Sequence, residues 1–183
     1  MRTSLTLVLS AVMATGVFGA EAPIPGYGVD VIQWNVEVAP GQTEVLNGTV
    51  QEVYAHALQI NPKFTLAKSP DARDIHQKRN VHCGNWPLAD KGRIQEGIHY
   101  LRGVPGAPRN GPGPGNCGRV SCSHNSAIWW CNDNTTPKTL DNWHWIANSA
   151  QHIINTCGPS VGSVSGQNFE DGNWNTIVRG DSC

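Results

Sequence analysis

All six cysteines of this chain, Cys83, Cys117, Cys122, Cys131, Cys157 and Cys183, fall in its C-terminal part, and none precedes Cys83. An even set of cysteines in a chain bound for export reads as three disulfides, so the C-terminal region is expected to be a compact domain stapled by covalent links. The sequence leaves the connectivity open. Zinc is the competing use of such residues, but no two cysteines have C-x-x-C spacing and an export route is oxidising, so neither a metal nor another cofactor is expected.

The N-terminus supplies the export signal. Arg2 gives a short basic start, residues 5–18 form a mostly apolar run too short to cross a membrane as an ordinary helix, and Ala20-Glu21-Ala22 fits an A-x-A cleavage pattern. A signal peptide is therefore expected over residues 1–20, with cleavage between Gly19 and Ala22. No later run approaches membrane-spanning length, so the expected product is extracellular and soluble, with no membrane span.

Residues 21–79 differ in composition from the cysteine region. Ile32, Trp34, Val36 and Val38 alternate with Gln33, Asn35 and Glu37, the period of a half-buried strand. Ala39-Pro40-Gly41 supplies a turn before a short second strand near Val45 and Leu46. Thr49 and Glu52 then form a T-x-x-E capping box, which opens a helix with the face Val50, Val53, Tyr54, Ala57 and Leu58 and ends at Pro62. This strand-turn-strand-helix leader is too small to be stable alone and is expected to dock on the cysteine domain. Residues 63–79 read as an exposed linker ending in Lys78-Arg79, a dibasic pair suited to a kexin-like protease. The expected division is a signal over 1–20, a cysteine-free pro-segment over 21–79 and a six-cysteine mature domain over 80–183.

In the mature region Asp90 caps a helix with the stripe Ile94, Ile98 and Leu101. Pro105, Pro108, Pro112 and Pro114 force a loop. Strands over 119–123 and 127–131 are expected to form a hairpin. Trp143, Ile146, Ala147, Ala150, Ile153, Ile154 and Cys157 mark the buried face of a second helix closed by Gly158, and residues 174–179 read as a last strand. The expected fold class is α+β: a small disulfide-stapled sandwich with two helices on one face of an antiparallel sheet.

Charge and motifs narrow the function. The mature region holds seven lysines and arginines against seven aspartates and glutamates, so it lacks the basic excess that binding to nucleic acid or anionic membranes requires. The run Gly111-Pro112-Gly113-Pro114-Gly115 is read as a rigid loop rather than a phosphate cradle, because proline deletes backbone donors and no lysine and hydroxyl come after it. Trp129 and Trp130 must point to opposite faces of a strand, and Trp145 lies off the stripe of its helix; at least one of the three is expected to be exposed as a binding surface, against the alternative that all serve as core. A hydrolase reading, nuclease-like, rests on Glu96, His99 and His124, and requires them to share one concave site. Other histidines are read as surface groups. Arg179-Gly180-Asp181 spells an attachment tripeptide beside the terminal cysteine. Asn47-Gly48-Thr49 and Asn134-Thr135-Thr136 are glycosylation sequons at Asn47 and Asn134.

The block Gly111-Pro112-Gly113-Pro114-Gly115-Asn116-Cys117-Gly118-Arg119-Val120-Ser121-Cys122, continued by Ser126-Ala127-Ile128-Trp129-Trp130-Cys131-Asn132-Asp133-Asn134, resembles a group of small cysteine-rich secreted proteins of filamentous fungi. Ser165-Gly166-Gln167, the ending from Trp174 to Cys183 and the leader from Trp34 to Pro62 extend the likeness over most of the chain. More distantly, the layout is similar to fungal killer toxins and necrosis-inducing effectors, which have α/β sandwiches. The resemblance implies a secreted effector or toxin-like protein that acts without cofactor or catalysis by binding a host or competitor protein or cell-surface component. A carbohydrate- or protein-binding module using exposed tryptophans is the other binding reading.

Overall fold

The computed structural model describes residues 20–66, 80–160 and 162–183. Residues 1–19 of the expected signal peptide and the Lys78-Arg79 pair lie outside the described residues. In chain order the elements are β1 (Gly28–Asp30), β2 (Gln33–Ala39), β3 (Gln42–Asn47), α1 (Val50–Ile60), β4 (Asn80–Cys83), β5 (Ala89–Asp90), α2 (Lys91–Gly103), β6 (Arg109–Asn110), β7 (Asn116–Ser123), β8 (Ser126–Asn132), β9 (Lys138–Thr139), α3 (His144–Cys157), β10 (Ser163–Val164), β11 (Gly166–Glu170) and β12 (Trp174–Gly180). The class is α+β, as expected.

Local chemistry explains the helices. At α1 the Thr49 backbone N–H donates to Glu52 Oε2 at 2.7 Å while the Thr49 hydroxyl accepts from the Glu52 N–H, completing the capping box read from the sequence. Asp90 accepts from the Arg93 N–H at 2.9 Å and starts α2. The stripes land where their spacing puts them: Val50, Val53 and Ala57, then Ile94, Ile98 and Leu101, then Ile146, Ala147, Ala150, Ile153 and Ile154 are all buried.

The main sheet has the order β1-β7-β8-β12-β11-β4. It is mixed, not antiparallel throughout, because β1 from the leader lies parallel on β7 with Val29 opposite Cys117. A parallel neighbour needs a long crossover, and everything from β2 to β6 lies between these two strands. Three helices, not two, cover one face: α2 and α3 are joined by the leader's α1, which sits over β7 beside α2. The leader hairpin β2–β3 is likewise extended by the cysteine region, since Gln33 of β2 pairs with Arg109 of β6 and β6 pairs with β9. The β7–β8 hairpin forms with longer strands than expected and an extra residue between Arg119 and Ser121, a bulge that keeps Val120 in the core.

One large core lies between the sheet and the helices and runs without a break from Ile32, Trp34, Val36 and Val38 through Ile98 and Leu101 to Ile153 and Val178. A second, smaller core lies on the opposite face of the sheet. It gathers Cys117, Cys122, Ala127, Trp129, Cys131 and Ile177 under Ile24, Tyr27 and Trp86.

The six thiols form three disulfides. Cys83–Cys157 ties β4 to the end of α3, Cys117–Cys131 bridges β7 and β8, and Cys122–Cys183 anchors the terminus to the hairpin. No described cysteine is free to bind zinc. Among the described residues no helix is long and apolar enough to cross a membrane.

Candidate functional site

Trp129 and Trp130 do point to opposite faces of β8, and both are fully buried, so neither can serve as an exposed binding indole and, of the three tryptophans singled out, Trp145 alone reaches solvent. The reason is the double covering of the sheet. Trp130 lies under the helices and meets Trp174 edge to face, while Trp129 lies in the second core and donates its indole N–H to Asp181 Oδ2 at 2.9 Å. Trp86 is half-buried, with its N–H donated to the Pro23 carbonyl at 2.7 Å.

Trp145 is different. It is half-buried at the start of α3 and lines a solvent-open recess of about 190 Å³ with Lys138, Thr139, Leu140, Asp141, Asp171 and Trp174. Each wall has a local cause. The first turn of α3 is held by Asn142, whose Oδ1 accepts the His144 N–H at 3.0 Å. His144 Nε2 lies 2.9 Å from the Arg102 carbonyl, which can only accept, so this nitrogen carries the proton. Arg102 in turn donates to Asn148 Oδ1 at 3.1 Å, fixing the end of α2 on α3, and burial lowers its pKa. Lys138 and Thr139 are set by the pairing of β9 with β6 and by the Leu140 N–H donated to the Pro108 carbonyl. Asp171 opens the tight turn between β11 and β12, where Asn173 takes a positive φ of 57°. Leu140 and Trp174 are buried beneath, while Asp141, Thr139 and Asp171 stand exposed around the mouth. The recess thus combines an indole, two carboxylates, a hydroxyl and an ammonium.

The groups of the hydrolase reading are not gathered in this way. Glu96 and His99 line an open depression with Gly92, Gln95 and Tyr100. The carboxylate of Glu96 is engaged by the Arg93 guanidinium at 2.9 and 3.1 Å. His124 stands in the β7–β8 turn, at a φ of 49°, with Nδ1 2.7 Å from Ser123 Oγ. General acid–base chemistry needs its members converging on one reacting atom, and His124 is not among the residues that line the depression of Glu96 and His99.

The remaining motifs are used by the fold. Asp181 of the Arg179-Gly180-Asp181 tripeptide is committed to Trp129 and lies 3.8 Å from the Arg119 guanidinium, and the Gly180 N–H donates to the Pro87 carbonyl. The Gly-Pro loop spends its donors internally: the N–H groups of Gly111, Gly113 and Gly115 go to Asp30 Oδ2, the Asn134 carbonyl and the Asn132 carbonyl. Asn47 is exposed at the end of β3. Asn134 is half-buried, and its amide nitrogen faces Asn132 Oδ1, the Gly172 carbonyl and the Asn173 carbonyl at 2.9 to 3.0 Å.

Sequence reasoning singled out Trp145 but missed its neighbours. Lys138 lies in β9, Asp141 in the connection just after it and Asp171 in the turn between β11 and β12, and the one available signal was Asp171-Gly172, a turn dipeptide between two short strands. Compared with protein-family models, with curated proteins and with solved structures, the chain finds no match.

Proposed function

We propose that this chain is a secreted effector or toxin-like protein that acts without catalysis, by binding a surface component of a host or competitor cell through the recess at Trp145. The observation that carries this reading is the contrast among tryptophans: Trp129 and Trp130 are sealed in the two cores, whereas Trp145 stands beside charged groups in an open recess. An indole offers an apolar face to the C–H groups of a sugar ring, the Asp141 and Asp171 carboxylates accept hydrogen bonds from hydroxyls, and Lys138 donates to ring or hydroxyl oxygens. This set fits a neutral saccharide unit of a cell-surface glycan. At about 190 Å³ the recess is smaller than an ordinary drug-sized pocket, which suits one ring of a longer chain. Three disulfides and a balanced charge agree with action outside the cytosol on an uncharged target.

The test is titration calorimetry of the purified protein against neutral β-linked glucose and N-acetylglucosamine oligosaccharides. Trp145→Ala is expected to weaken binding at least about tenfold, the effect of losing roughly 1.4 kcal/mol, and Asp171→Asn to weaken it less. Unchanged affinity in Trp145→Ala, with the fold intact by circular dichroism, overturns the assignment.

A further inference from the structure

The leader and the cysteine region share one interior. Trp34 is wholly buried and stacks on Trp143, with ring centroids 3.5 Å apart and planes 13° from parallel. Ile32, Val36, Val38, Val50, Val53 and Ala57 are 0–2% exposed within the same core as Ile98, Trp130 and Ile146. On the other face of the sheet, Ile24 and Tyr27 close the small core over Trp129 and the Cys117–Cys131 bridge.

Polar groups are matched across the same boundary. Gln51 donates to Ser121 Oγ at 2.8 Å and accepts the Cys122 N–H at 3.2 Å, so it fills the gap left in β7 by the bulge. Tyr27 donates its hydroxyl to Asp133 at 3.0 Å, and Trp86 reaches back to Pro23. Two glycines of the cysteine region are shaped for the leader. A Cβ at Gly118 would overlap the side chain of Ile32, and one at Gly115, where φ is +79°, would press on the Tyr27 ring at 3.0 Å.

We infer that residues 20–66 are a permanent structural subunit: a cut between them and the cysteine region yields a non-covalent two-chain protein, not a released six-cysteine domain. Every disulfide lies within residues 83–183, so none crosses the boundary, and among the described residues burial and hydrogen bonds hold the two pieces together. Departure of the leader would expose Trp143 and Trp129 together and strip one edge strand from the main sheet. The segment therefore completes the fold instead of shielding a finished one, and this holds whatever the Trp145 recess binds.

The experiment uses the whole secreted chain with a recognition site for a sequence-specific protease written into residues 67–79. After complete cutting without reductant, the two fragments are expected to co-elute at the volume of the uncut protein and to keep its near-ultraviolet circular dichroism. Concentrated guanidinium, still without reductant, should separate them, and on dilution the disulfide-bonded fragment should regain the tryptophan signal only when the leader is added back. Release of residues 20–66 under native conditions overturns the inference, and so does loss of the tertiary signal on cutting or recovery of the fold by the larger fragment alone.

Discussion

The Asp181 carboxylate accepts the indole N–H of Trp129 at 2.9 Å, close to the chain end and in the second core of the molecule. The Arg119 guanidinium completes the group, 3.8 Å from Asp181 and 5.8 Å from the centre of the Trp129 ring. An aspartate in a sequence that spells a cell-attachment tripeptide is thereby turned inward, with 13% of its side chain exposed. Asp181→Ala leaves the buried indole N–H without its acceptor, a loss of about 1–3 kcal/mol. Thermal unfolding should show a fall in Tm of several degrees, with Asp181→Asn, which keeps an acceptor, falling less. An unchanged Tm in Asp181→Ala would mean that the contact contributes nothing.

The two sequons should differ in occupancy. Asn47 is exposed, whereas the amide nitrogen of Asn134 already faces three acceptors and has only two hydrogens to donate. A glycan replaces one of those hydrogens and needs space outside the fold. Peptide mapping of protein secreted by a glycosylating host is expected to find sugar on Asn47 and unmodified Asn134. A folded product with a glycan on Asn134 would contradict the structure.

Tyr27 gives an alkaline limit. Its pKa is raised, first by burial and then by the hydrogen bond to Asp133 and the charge of that carboxylate. Between the ordinary tyrosine value of about 10 and the higher folded value, the unfolded chain has released the phenolic proton while the native state keeps it, so the unfolded state binds fewer protons and stability falls as pH rises. Below that range the contribution is complete. Denaturant midpoints measured upward from neutral pH should hold level for this group and then decline, and Tyr27→Phe should flatten its part of the decline while lowering the plateau. An identical alkaline slope in Tyr27→Phe would assign the effect elsewhere.

Gly97 tests how closely α2 approaches the sheet. In an exposed helix Gly→Ala gains up to about 1 kcal/mol in propensity. Here the new Cβ would overlap Ser121 Oγ and come within 3.1 Å of Ser121 Cβ and 3.3 Å of Ile128 Cδ1, against a strand fixed by its ladder. Overpacking of this kind costs about 1–3 kcal/mol, so the sign should reverse. The Gly97→Ala protein is expected to unfold at lower denaturant than the parent, and stabilisation would show that α2 moves freely.

Where one side of an element decides its structure, the chain was readable. The stripes of the three helices, the Thr49–Glu52 box, the Asp90 cap and the Ser123–Ser126 turn are all encoded within a few residues of themselves. Strands β4 and β11 passed unnoticed because they alternate poorly: Asn168, Gln167 and Glu170 are polar yet buried, held by bonds such as that from Asn168 to Ser149 at 2.8 Å. For the site, Trp145 was visible as a candidate, but its partners come from residues 138–141 and 171, which only packing brings beside it.

The amino-acid order alone determined the local periods, the helix boundaries and the placing of every cysteine at or after residue 83, because each of these is written directly in the sequence. Tertiary structure alone decided which cysteines pair, which tryptophans lose water and that β1 enters the main sheet in parallel. Those outcomes depend on what covers each surface, and the covering segments, residues 23–27 over Trp129 and Trp34 over Trp143, come from parts of the chain far removed in sequence.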